Sequence, residues 1–408
     1  ATKLAFDSLT ANSALSWSLT GPFGAEITNR NFYYADSAEI DTNSNLLLNL
    51  TPGTYTLTVD GAGDVAADYQ FRLLALASAT PLTLGAETSG RLEPGNETDM
   101  FAFTAQEGDA ITIERISSTN LNAYWRLYDP LGRLVTSARQ FNDSVPLSLD
   151  YDGTYVLMLE GRVWEGAPVD YVLKVSSTGN TPPPDRGTGT VFTLGAAVSD
   201  TLSAADEIDL HSVTIAGPTR VYFDSLTPAT DKSWALFGPS GRITPDRAFY
   251  YTDSFENNAN TFIDLTQPGD YQIRVQGSTG AYGFRLLDFA GATPVAADGN
   301  VTASTLTPAR ATNIFSFTAS AGEKIILDVR DYPSNASWRI FSSNGRQLFG
   351  PASFDYRELI LPVSDTYYFV VEGRVWDNRA SDDYAFILNR PADPAPVRLV
   401  RRARQRSL

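Results

Sequence analysis

The chain contains an internal duplication, and this feature constrains its fold more than any other. The segment AFDSLTANSALSWSLTGPFG, which starts at Ala5, aligns without a gap with YFDSLTPATDKSWALFGPSG, which starts at Tyr222. The segment RNFYYADS (residues 30–37) aligns with RAFYYTDS (residues 247–254) at the same offset. Matches at one fixed spacing indicate a chain built from repeated structural units.

A second kind of repeat alternates with the first. The segment MFAFTAQEGDAITI (residues 100–113) aligns with IFSFTASAGEKIIL (residues 314–327), and the pentapeptide EGRVW occurs unchanged at residues 160–164 and 372–376. Both kinds carry a tryptophan, then a P-x-G turn or its remnant, then a strand that begins G-x-Y or D-x-Y. The order along the chain is therefore first type, second type, first type, second type.

The repeats predict four tandem domains of about a hundred residues each, which is a usual domain size. The proline- and glycine-rich stretch between the second and third repeats predicts an extended spacer without a core of its own. The predicted divisions are residues 1–76 (first type, incomplete at its N-terminus), 77–177 (second type), 178–189 (linker), 190–290 (first type), 291–390 (second type) and 391–408 (a basic tail or the start of a further repeat).

Local patterns indicate β-structure throughout. Runs such as TYTLTV (residues 54–59), AITIER (110–115) and YQIRV (271–275) alternate or run apolar with β-branched residues, and glycine, proline, asparagine or aspartate bound them. No stretch holds a 3.6-residue apolar period over three turns. The predicted fold class is all-β, with four tandem antiparallel, jelly-roll-like β-sandwich domains.

The second-type repeats resemble the bacterial pre-peptidase C-terminal domain. The second repeat carries ETDMFAFTAQEGDAITI, WRLYDPLGRLV, DGTYVLMLEG and DYVLKV, and the fourth carries NIFSFTASAGEKIIL, WRIFSSNGRQL, DTYYFVVEG and DYAFIL. The resemblance implies a jelly-roll-like sandwich of secreted proteases and surface proteins, which is removed or acts in binding and secretion. The fourth repeat departs from the pattern, because SSNG replaces the D-P-x-G turn and Asp365 stands where the second repeat has Gly153.

Composition excludes several classes of function. The chain has no cysteine, so disulfides, thiol nucleophiles and thiolate metal sites are absent. A net charge of −16 argues against nucleic-acid binding, which needs clustered cations; the exception is the tail, with Arg398, Arg401, Arg402, Arg404 and Arg406. No apolar run is long enough to span a membrane.

The sequence predicts a non-catalytic protein. Its one histidine, His211, lies in the strand-like segment EIDLHSVTI, and no other repeat has a histidine at the matching position. General-base and Ser-His-Asp chemistry need a histidine beside an oriented nucleophile. No carboxylate pair recurs in a way that indicates an acid/base dyad.

The EGRVW motif supplies the first candidate binding residues. In one interpretation it is structural: Glu160 pairs with Arg162, or Arg162 stacks on Trp164 and seals one end of the sandwich. In the other, an exposed tryptophan and arginine grip a sugar or a neighbouring domain. The candidates are Arg162, Trp164, Arg374 and Trp376.

The R-x-F-Y-Y-x-D-S motif supplies the second set. On a strand, Phe32 and Tyr34 would face one side and Tyr33 the other, so at least one tyrosine should be exposed and suit a carbohydrate or protein contact. In the alternative interpretation, the motif lies on a solvent-exposed face of the sandwich and binds nothing. The candidates are Arg30, Tyr33, Tyr34, Arg247, Tyr250 and Tyr251, and partial echoes lie at Arg139, Phe141, Asp143, Ser144 and Phe354.

Two further sets of residues recur. The matching tryptophans Trp17, Trp125, Trp234 and Trp338 are predicted to be core aromatics. The pairs Asp7-Ser8 and Asp224-Ser225 are identical, and each ends a strand. Side chains of these pairs would cap the following turn, or the aspartates would contribute, with other loop carboxylates, to a calcium site; calcium is the one cofactor considered.

These observations predict an extracellular or cell-surface module that is structural or adhesive and binds a protein or carbohydrate ligand or neighbouring copies of itself. The alternatives are an accessory substrate-binding region of a secreted hydrolase and a subunit of a filament or surface layer.

The third repeat has residues 191–215 before its YFDSLT segment, whereas only four residues precede AFDSLT. The first repeat is therefore expected to lack its first strands. The chain would then be a slice of a longer array, or the missing strand would come from another molecule, for example from the tail segment ADPAPVRLV.

Overall fold

The structure is a computed structural model that describes residues 2–36, 44–120, 122–142, 144, 146–181, 187–253, 256, 262–331, 333, 335–353 and 356–391. Its helices in these ranges are short 3-10 turns, at Leu76–Ser78, Phe249–Tyr251 and Phe289–Gly291. None of the described helices is long and apolar enough to cross a membrane. Several residues named above lie outside the described ranges, namely Ser37, Asp143, Ser254, Phe354 and the arginines of the tail.

The first repeat forms two three-stranded antiparallel sheets, with strand orders β4-β1-β6 and β3-β2-β5. Its strands are β1 (Thr2–Ser8), β2 (Leu15–Gly21), β3 (Gly24–Asn31), β4 (Leu48–Leu50), β5 (Thr56–Gly61) and β6 (Phe71–Ala75).

The second repeat forms a four-stranded and a five-stranded sheet, with orders β13-β10-β15-β8 and β12-β11-β14-β9-β7. Its strands are β7 (Thr80–Pro81), β8 (Glu87–Leu92), β9 (Thr98–Ala105), β10 (Asp109–Ser118), β11 (Tyr124–Tyr128), β12 (Leu134–Gln140), β13 (Pro146–Ser148), β14 (Gly153–Glu160) and β15 (Val169–Asn180). Strand β15 extends three residues into the predicted linker because Asp109 and Ala110 of β10 still pair with its end.

The third repeat forms a sheet of order β16-β18-β24-β20-β21, in which β22 also pairs with β20, and a sheet of order β17-β25-β19-β23. Its strands are β16 (Thr190–Val191), β17 (Val198–Leu202), β18 (Ile208–Ile215), β19 (Thr219–Ser225), β20 (Lys232–Gly238), β21 (Gly241–Arg242), β22 (Arg247–Ala248), β23 (Phe262–Leu265), β24 (Gly269–Gly277) and β25 (Gly280–Asp288).

The fourth repeat forms sheets of order β26-β28-β33-β30-β31 and β27-β34-β29-β32. Its strands are β26 (Thr293–Pro294), β27 (Asp298–Leu306), β28 (Thr312–Ala319), β29 (Lys324–Asp331), β30 (Ala336–Ser342), β31 (Gln347–Ser353), β32 (Arg357–Ile360), β33 (Asp365–Gly373) and β34 (Asp382–Asn389). The all-β, sandwich-type fold predicted from the sequence is confirmed.

Each repeat has its own hydrophobic core, and a tryptophan lies in each core. The four tryptophans are at most 1% exposed, which confirms the prediction that they are core residues. In the first-type repeats a phenylalanine of the opposite sheet stacks on the indole: the ring centroids of Phe6 and Trp17 are 3.9 Å apart, and those of Phe223 and Trp234 are 3.8 Å apart.

The P-x-G turn and the G-x-Y strand start recur together because they pack on each other. A Cβ atom at Gly269 would lie 2.7 Å from the ring of Pro239, and one at Gly153 would lie 3.0 Å from Pro130. The fourth repeat replaces both partners at once. There the amide of Ser343, which a proline would lack, donates a hydrogen bond to the carboxylate of Asp365 (2.9 Å). The fourth repeat thus exchanges both members of the proline–glycine contact together.

The chain divides into two compact units. One comprises Ala1–Thr252 and Thr261–Ala290, and the other comprises Asp253–Asn260 and Gly291–Leu408. The first three repeats therefore belong to one unit, and the predicted linker at residues 178–189 does not separate units. The division into four domains stays a prediction.

Within the first unit, the first and second repeats pack face to face. Ala5 of β1 and Leu74 of β6 belong to one apolar cluster with Tyr128, Val156 and Met158 of the second repeat. These residues point away from the two tryptophan-containing cores, because their strand neighbours Phe6 and Leu127 point into them. Two sandwiches are thus joined by a third apolar layer.

We expect replacement of a core tryptophan by alanine to destabilise its repeat strongly. Trp234→Ala removes a fully buried indole and leaves the stacked Phe223 facing a cavity, which should cost about 3–5 kcal/mol. Urea unfolding followed by circular dichroism measures the loss. Trp164→Ala, at an indole that is 48% exposed, is the control, with an expected change of less than about 1 kcal/mol. Equal effects of the two substitutions would contradict the core assignment.

Candidate functional site

The structure brings together two motifs that are 130 residues apart in the sequence. The ring of Tyr33, from the first repeat, stacks against Trp164 of the second, with centroids 6.4 Å apart and planes at 27°. Tyr34 meets Tyr33 edge-on at 5.0 Å. The guanidinium of Arg162 lies 4.2 Å from the centroid of Trp164 and 4.8 Å from that of Tyr124. We call Tyr33, Tyr34, Tyr124, Arg162 and Trp164 the aromatic platform.

A turn, rather than a strand, presents the tyrosines of the platform. Strand β3 ends at Asn31, whose side-chain oxygen accepts a hydrogen bond from the amide of Tyr33 (2.8 Å). This Asx-type turn breaks the alternation that the sequence analysis assumed, so Phe32 and Tyr34 do not share a face: Phe32 is buried and Tyr34 is 52% exposed. The expectation of an exposed tyrosine holds, but its strand geometry was wrong.

The EGRVW motif makes an inner contact that the sequence analysis did not predict. The Glu160 carboxylate pairs with Arg126, on the neighbouring strand β11, at 3.1 Å, and both side chains are buried. Arg126 also donates to the carbonyl of Ser44 (3.0 Å), in the first repeat. The stacking of Arg162 on Trp164, which was the other structural interpretation, is present.

Alternation along the motif points Arg162 and Trp164 outward. Val163, between them, is buried, and its carbonyl accepts a hydrogen bond from the side chain of Asn96 (3.1 Å). The indole of Trp164 is 48% exposed. Half-exposed aromatic rings beside a guanidinium provide apolar contact area together with polar groups, a combination that is enriched in recognition surfaces.

The related motif of the fourth repeat has its own partner. The guanidinium of Arg374 pairs with Glu256 at 2.6 Å and lies 5.5 Å from the centroid of Trp376, which is exposed. The inner ion pair also recurs, because Arg339 and Glu372 are 3.0 Å apart and completely buried.

The tyrosines of the third repeat resemble those of the first. They lie in the 3-10 helix Phe249–Tyr251, where Phe249 is buried and Tyr251 is exposed. The rings of Tyr250 and Tyr251 are 4.9 Å apart and nearly perpendicular.

Two candidate arginines prove to support the core instead. In the antiparallel register Arg30 lies opposite Trp17, and Arg247 lies opposite Trp234. Their guanidinium carbons are 5.6 and 5.7 Å from the indole centroids. Burial lowers the pKa of both arginines. They are therefore held against the core tryptophans and do not belong to the platform.

The two calcium candidates are held by arginines. Asp7 pairs with Arg72 at 2.6 Å, and Asp224 pairs with Arg285 at 2.6 Å. Both carboxylates are buried, and burial raises the pKa of Asp7 to about 6 although the charge of Arg72 opposes the shift. Among the described residues no group of three or more acidic or histidine side chains is placed to hold a metal ion.

Serine, and not aspartate, stabilises the turn after each of these strands. The hydroxyls of Ser8 and Ser225 accept hydrogen bonds from the amides two residues on, of Thr10 and Thr227 (both 3.4 Å). Asp7 acts at longer range, since Arg72 also pairs with Glu97 of the second repeat (2.9 Å). The turn capping predicted for the two Asp-Ser pairs is therefore present, and the serine of each pair supplies it.

His211 lies in a buried polar chain. Its Nε2 is 2.7 Å from the hydroxyl of Tyr282, which in turn donates to the carboxylate of Asp209 (2.7 Å). Because the tyrosine proton is given to Asp209, the imidazole Nε2 donates the hydrogen bond to the tyrosine oxygen. Burial lowers the pKa of His211, although Asp200 and Asp209 oppose the shift.

A cleft that the sequence analysis missed lies between the second and third repeats, within the first unit. It has a volume of about 570 Å³ and is lined by the two P-x-G turns, with Pro130, Tyr151 and Asp152 on one side and Pro239, Arg242 and Tyr271 on the other. Both tyrosine rings are largely buried, so the cleft offers less exposed aromatic surface than the platform does.

Comparisons with known proteins give no family. No protein-family model and no curated protein matches the chain. A periplasmic inhibitor of g-type lysozyme from Aeromonas hydrophila, PliG, matches with 18% identity over 24% of this chain and 96% of its own (TM-score 0.22). The CUB1-EGF-CUB2 domains of rat MASP-1 match with 8% identity over 48% and 100% (TM-score 0.17). A Paenibacillus xanthan lyase matches with 10% identity over 81% and 36% (TM-score 0.14). TM-scores this low say nothing about what this chain does.

We expect that removal of one partner of the buried ion pair lowers the stability of the second repeat. Glu160→Ala would leave the guanidinium of Arg126 buried without its carboxylate and should destabilise the repeat by about 3–5 kcal/mol. Denaturant unfolding measures the loss, and Glu87→Ala, at an exposed position of β8, is the control. A Glu160→Ala protein as stable as the control would show that the pair contributes nothing to stability.

We expect the imidazole of His211 to titrate below its ordinary pKa. Since the folded pKa is lower than the unfolded one, near 6.5, the neutral ring contributes stability above that pH, and this contribution is lost as the pH falls through the folded pKa. Because the chain has a single histidine, proton NMR of the ring reports the pKa without assignment. The protein in urea is the control, and a native pKa equal to or above the urea value would contradict the expectation.

Proposed function

We propose that this chain is a non-catalytic, extracellular adhesive module that binds carbohydrate through the aromatic platform. The observation that carries the proposal is the joining of Tyr33 and Trp164 from two repeats into one exposed, arginine-backed surface. Neither repeat alone holds both rings, so the site depends on the packing of the pair.

Three properties of the platform favour a sugar ligand. The half-exposed rings of Tyr34 and Trp164 provide apolar contact area on which a pyranose ring can pack. Arg162 is held between Tyr124 and Trp164, so little side-chain freedom is lost on binding. The tyrosine hydroxyls and the guanidinium supply hydrogen-bonding groups at the edges of the rings. A protein ligand would use the same aromatic and arginine contacts, and it is distinguished by experiment.

The remaining titratable groups support a binding role over catalysis. The one histidine is buried in a hydrogen-bonded chain with Tyr282 and Asp209. The buried carboxylates of Asp7, Asp224, Glu160 and Glu372 are each paired with an arginine. We propose further that the second-type repeats are related to the pre-peptidase C-terminal domain, whose resemblance in sequence agrees with an accessory, surface-exposed role.

Retention on polysaccharides tests the proposal. The purified chain should be retained by at least one insoluble polysaccharide among cellulose, chitin, xylan and peptidoglycan, and Trp164→Ala and Tyr34→Ala should each weaken retention about tenfold or more, as for a central aromatic contact. Tyr356→Ala is the matched control, because that tyrosine is also half-exposed but lies outside the platform.

Two results would contradict the proposal. One is retention that survives both platform substitutions. The other is the absence of retention on every polysaccharide together with capture of a protein ligand that Trp164→Ala abolishes, which would assign the platform to protein recognition. Thermal unfolding of each variant confirms that a lost interaction does not reflect a lost fold.

A further inference from the structure

Arg72, on β6 of the first repeat, reaches across to the second repeat. Its Nε and Nη2 atoms lie 2.7 and 2.6 Å from the carboxylate of Asp7, on the neighbouring strand β1. Its Nη1 donates to the carboxylate of Glu97 (2.9 Å), and its Nη2 also donates to the carbonyl of Thr98 (2.8 Å). A planar guanidinium with several partners is fixed in orientation, so Arg72 ties residues 97–98 of the second repeat to the first repeat.

The residues that Arg72 holds support the loop of the aromatic platform, residues 161–164. The carbonyl of Glu97 accepts a hydrogen bond from the amide of Gly161 (3.0 Å). The side chain of the preceding residue, Asn96, donates to the carbonyl of Val163 (3.1 Å). Gly161 and Val163 lie on either side of the platform arginine in the sequence. A continuous series of contacts therefore connects Arg72 with the exposed end of the EGRVW motif.

Three carboxylates surround the one guanidinium at this joint, by which we mean the contact of Asp7 and Arg72 with residues 97–99. Two of them, those of Asp7 and Glu97, bind Arg72 directly. Burial raises the pKa of the third, Asp99, and the hydroxyl of Tyr171, which donates to it (2.5 Å), and the charge of Arg72 oppose the shift. Since Asp7 belongs to the first repeat and the other two to the second, like charges face each other across the joint.

Further charged groups lie around the joint. Glu93 pairs with Arg91 at 2.9 Å, and Arg91 is shared with Asp170, also at 2.9 Å. In the first repeat the carboxylate of Asp36 accepts a hydrogen bond from the amide of Ser8. Glu93 and Asp36 thus add to the negative charge near Arg72, and the only cation they bring is one that is divided between two acids.

Asp7 is the carboxylate of the joint that takes up a proton most readily. Its side chain is 1% exposed, against 13% for Glu97. Its Oδ2 accepts hydrogen bonds from Arg72 and from the amide of Thr98, whereas its Oδ1 is buried without a hydrogen-bond donor among the described residues. A buried charged oxygen without a donor is costly. Burial accordingly raises the pKa of Asp7 to about 6, although the charge of Arg72 opposes the shift.

The fourth repeat lacks the acidic side chains at the corresponding positions. It has Ala311 and Asn313 where the second repeat has Glu97 and Asp99. The backbone contact is nevertheless retained, because the amide of Gly373 donates to the carbonyl of Ala311 (3.0 Å). Holding the loop through its backbone therefore does not require these acids, which points to a separate role for them in the second repeat.

We propose that Arg72 positions the loop of the aromatic platform, and that uptake of one proton by Asp7 tightens the joint and with it this positioning. A neutral Asp7 no longer repels Glu97 and Asp99, whereas the attraction between Arg72 and Glu97 is kept. The loop is therefore held more firmly in mildly acidic than in alkaline solution. The consequence for ligand binding rests on the proposed function, but the ordering of the loop does not.

The sign and size of the pH effect follow from proton linkage. Opening of the joint exposes Asp7 to water, where the pKa of its carboxyl returns to its ordinary value of about 4. Because the pKa in the closed joint is higher, about 6, the stabilising contribution is fully present below about pH 4 and is lost as the pH rises through about 6. Between about pH 5 and about pH 8 the opening equilibrium should change about tenfold.

Amide hydrogen exchange of the full chain, expressed relative to the intrinsic rate at each pH, measures the opening. In the wild type, peptides that cover residues 96–99 and 161–164 should be protected about tenfold more at about pH 5 than at about pH 8. Asp7→Asn should abolish this pH dependence, because its side chain is neutral at both pH values. Arg72→Gln should lower the protection of both peptides at both pH values, since the ties to residues 97–98 are lost.

A matched control and an internal one accompany these variants. Asp224 is also buried and pairs with an arginine, Arg285, but in the third repeat, so Asp224→Asn should keep the pH dependence of the wild type. Peptides that cover β2 should stay protected in every variant, which shows that the core of the first repeat is intact. On a polysaccharide that retains the chain, retention should be stronger at about pH 5 than at about pH 8, and Arg72→Gln should weaken it.

Three results would overturn the inference: equal protection at both pH values in the wild type, a pH dependence that survives Asp7→Asn, and unchanged protection of residues 161–164 in Arg72→Gln. The expected protection without retention on any polysaccharide would support the inference and contradict only the proposed ligand. Retention by an intact platform whose protection ignores both substitutions would do the reverse.

Discussion

Every repeat depends on closing two sheets over one buried tryptophan. Each sheet has a single apolar face, so it is stable only when that face is covered. The indole occupies the same place in each sandwich: Trp17, Trp125, Trp234 and Trp338 lie opposite a valine or leucine of the next strand in the antiparallel register. In the first-type repeats an arginine of the strand on the other side lies against the indole.

The second-type repeats add a buried ion pair on the reverse face of the tryptophan strand. Arg126 is the residue after Trp125, so it points away from the core, towards the apolar layer shared with the first repeat. A buried pair contributes little net stability, but it is costly to break and fixes geometry. The ion pair needs a glutamate, which accounts for the first residue of EGRVW, whereas the arginine and tryptophan of the motif lie at the surface. The repeated pentapeptide therefore contributes both to a buried ion pair and to an exposed surface.

The aromatic platform of the first repeat follows from its packing against the second repeat. The aromatic platform lies where its β3 turn meets the loop after β14, at the rim of the face-to-face contact. A sandwich can bind another molecule by its loops, and this repeat contributes one of its turns to the platform.

The sequence by itself determined the all-β fold, the alternation of two repeat types and the burial of the tryptophans. These features follow from local alternation, turn residues and matched spacing, because interactions between residues close together in the sequence determine them. It also selected Tyr33, Tyr34, Arg162 and Trp164 as candidates for a surface site. Only the tertiary structure showed that these residues meet, because their contact depends on how two sandwiches pack. The same holds for Glu160, which pairs with Arg126 on an adjacent strand, and for Asp7, whose partner Arg72 is far away in the chain. Long-range pairs of this kind depend on strand order and on register across a sheet. The residue pattern of a single strand does not specify which strands are its neighbours.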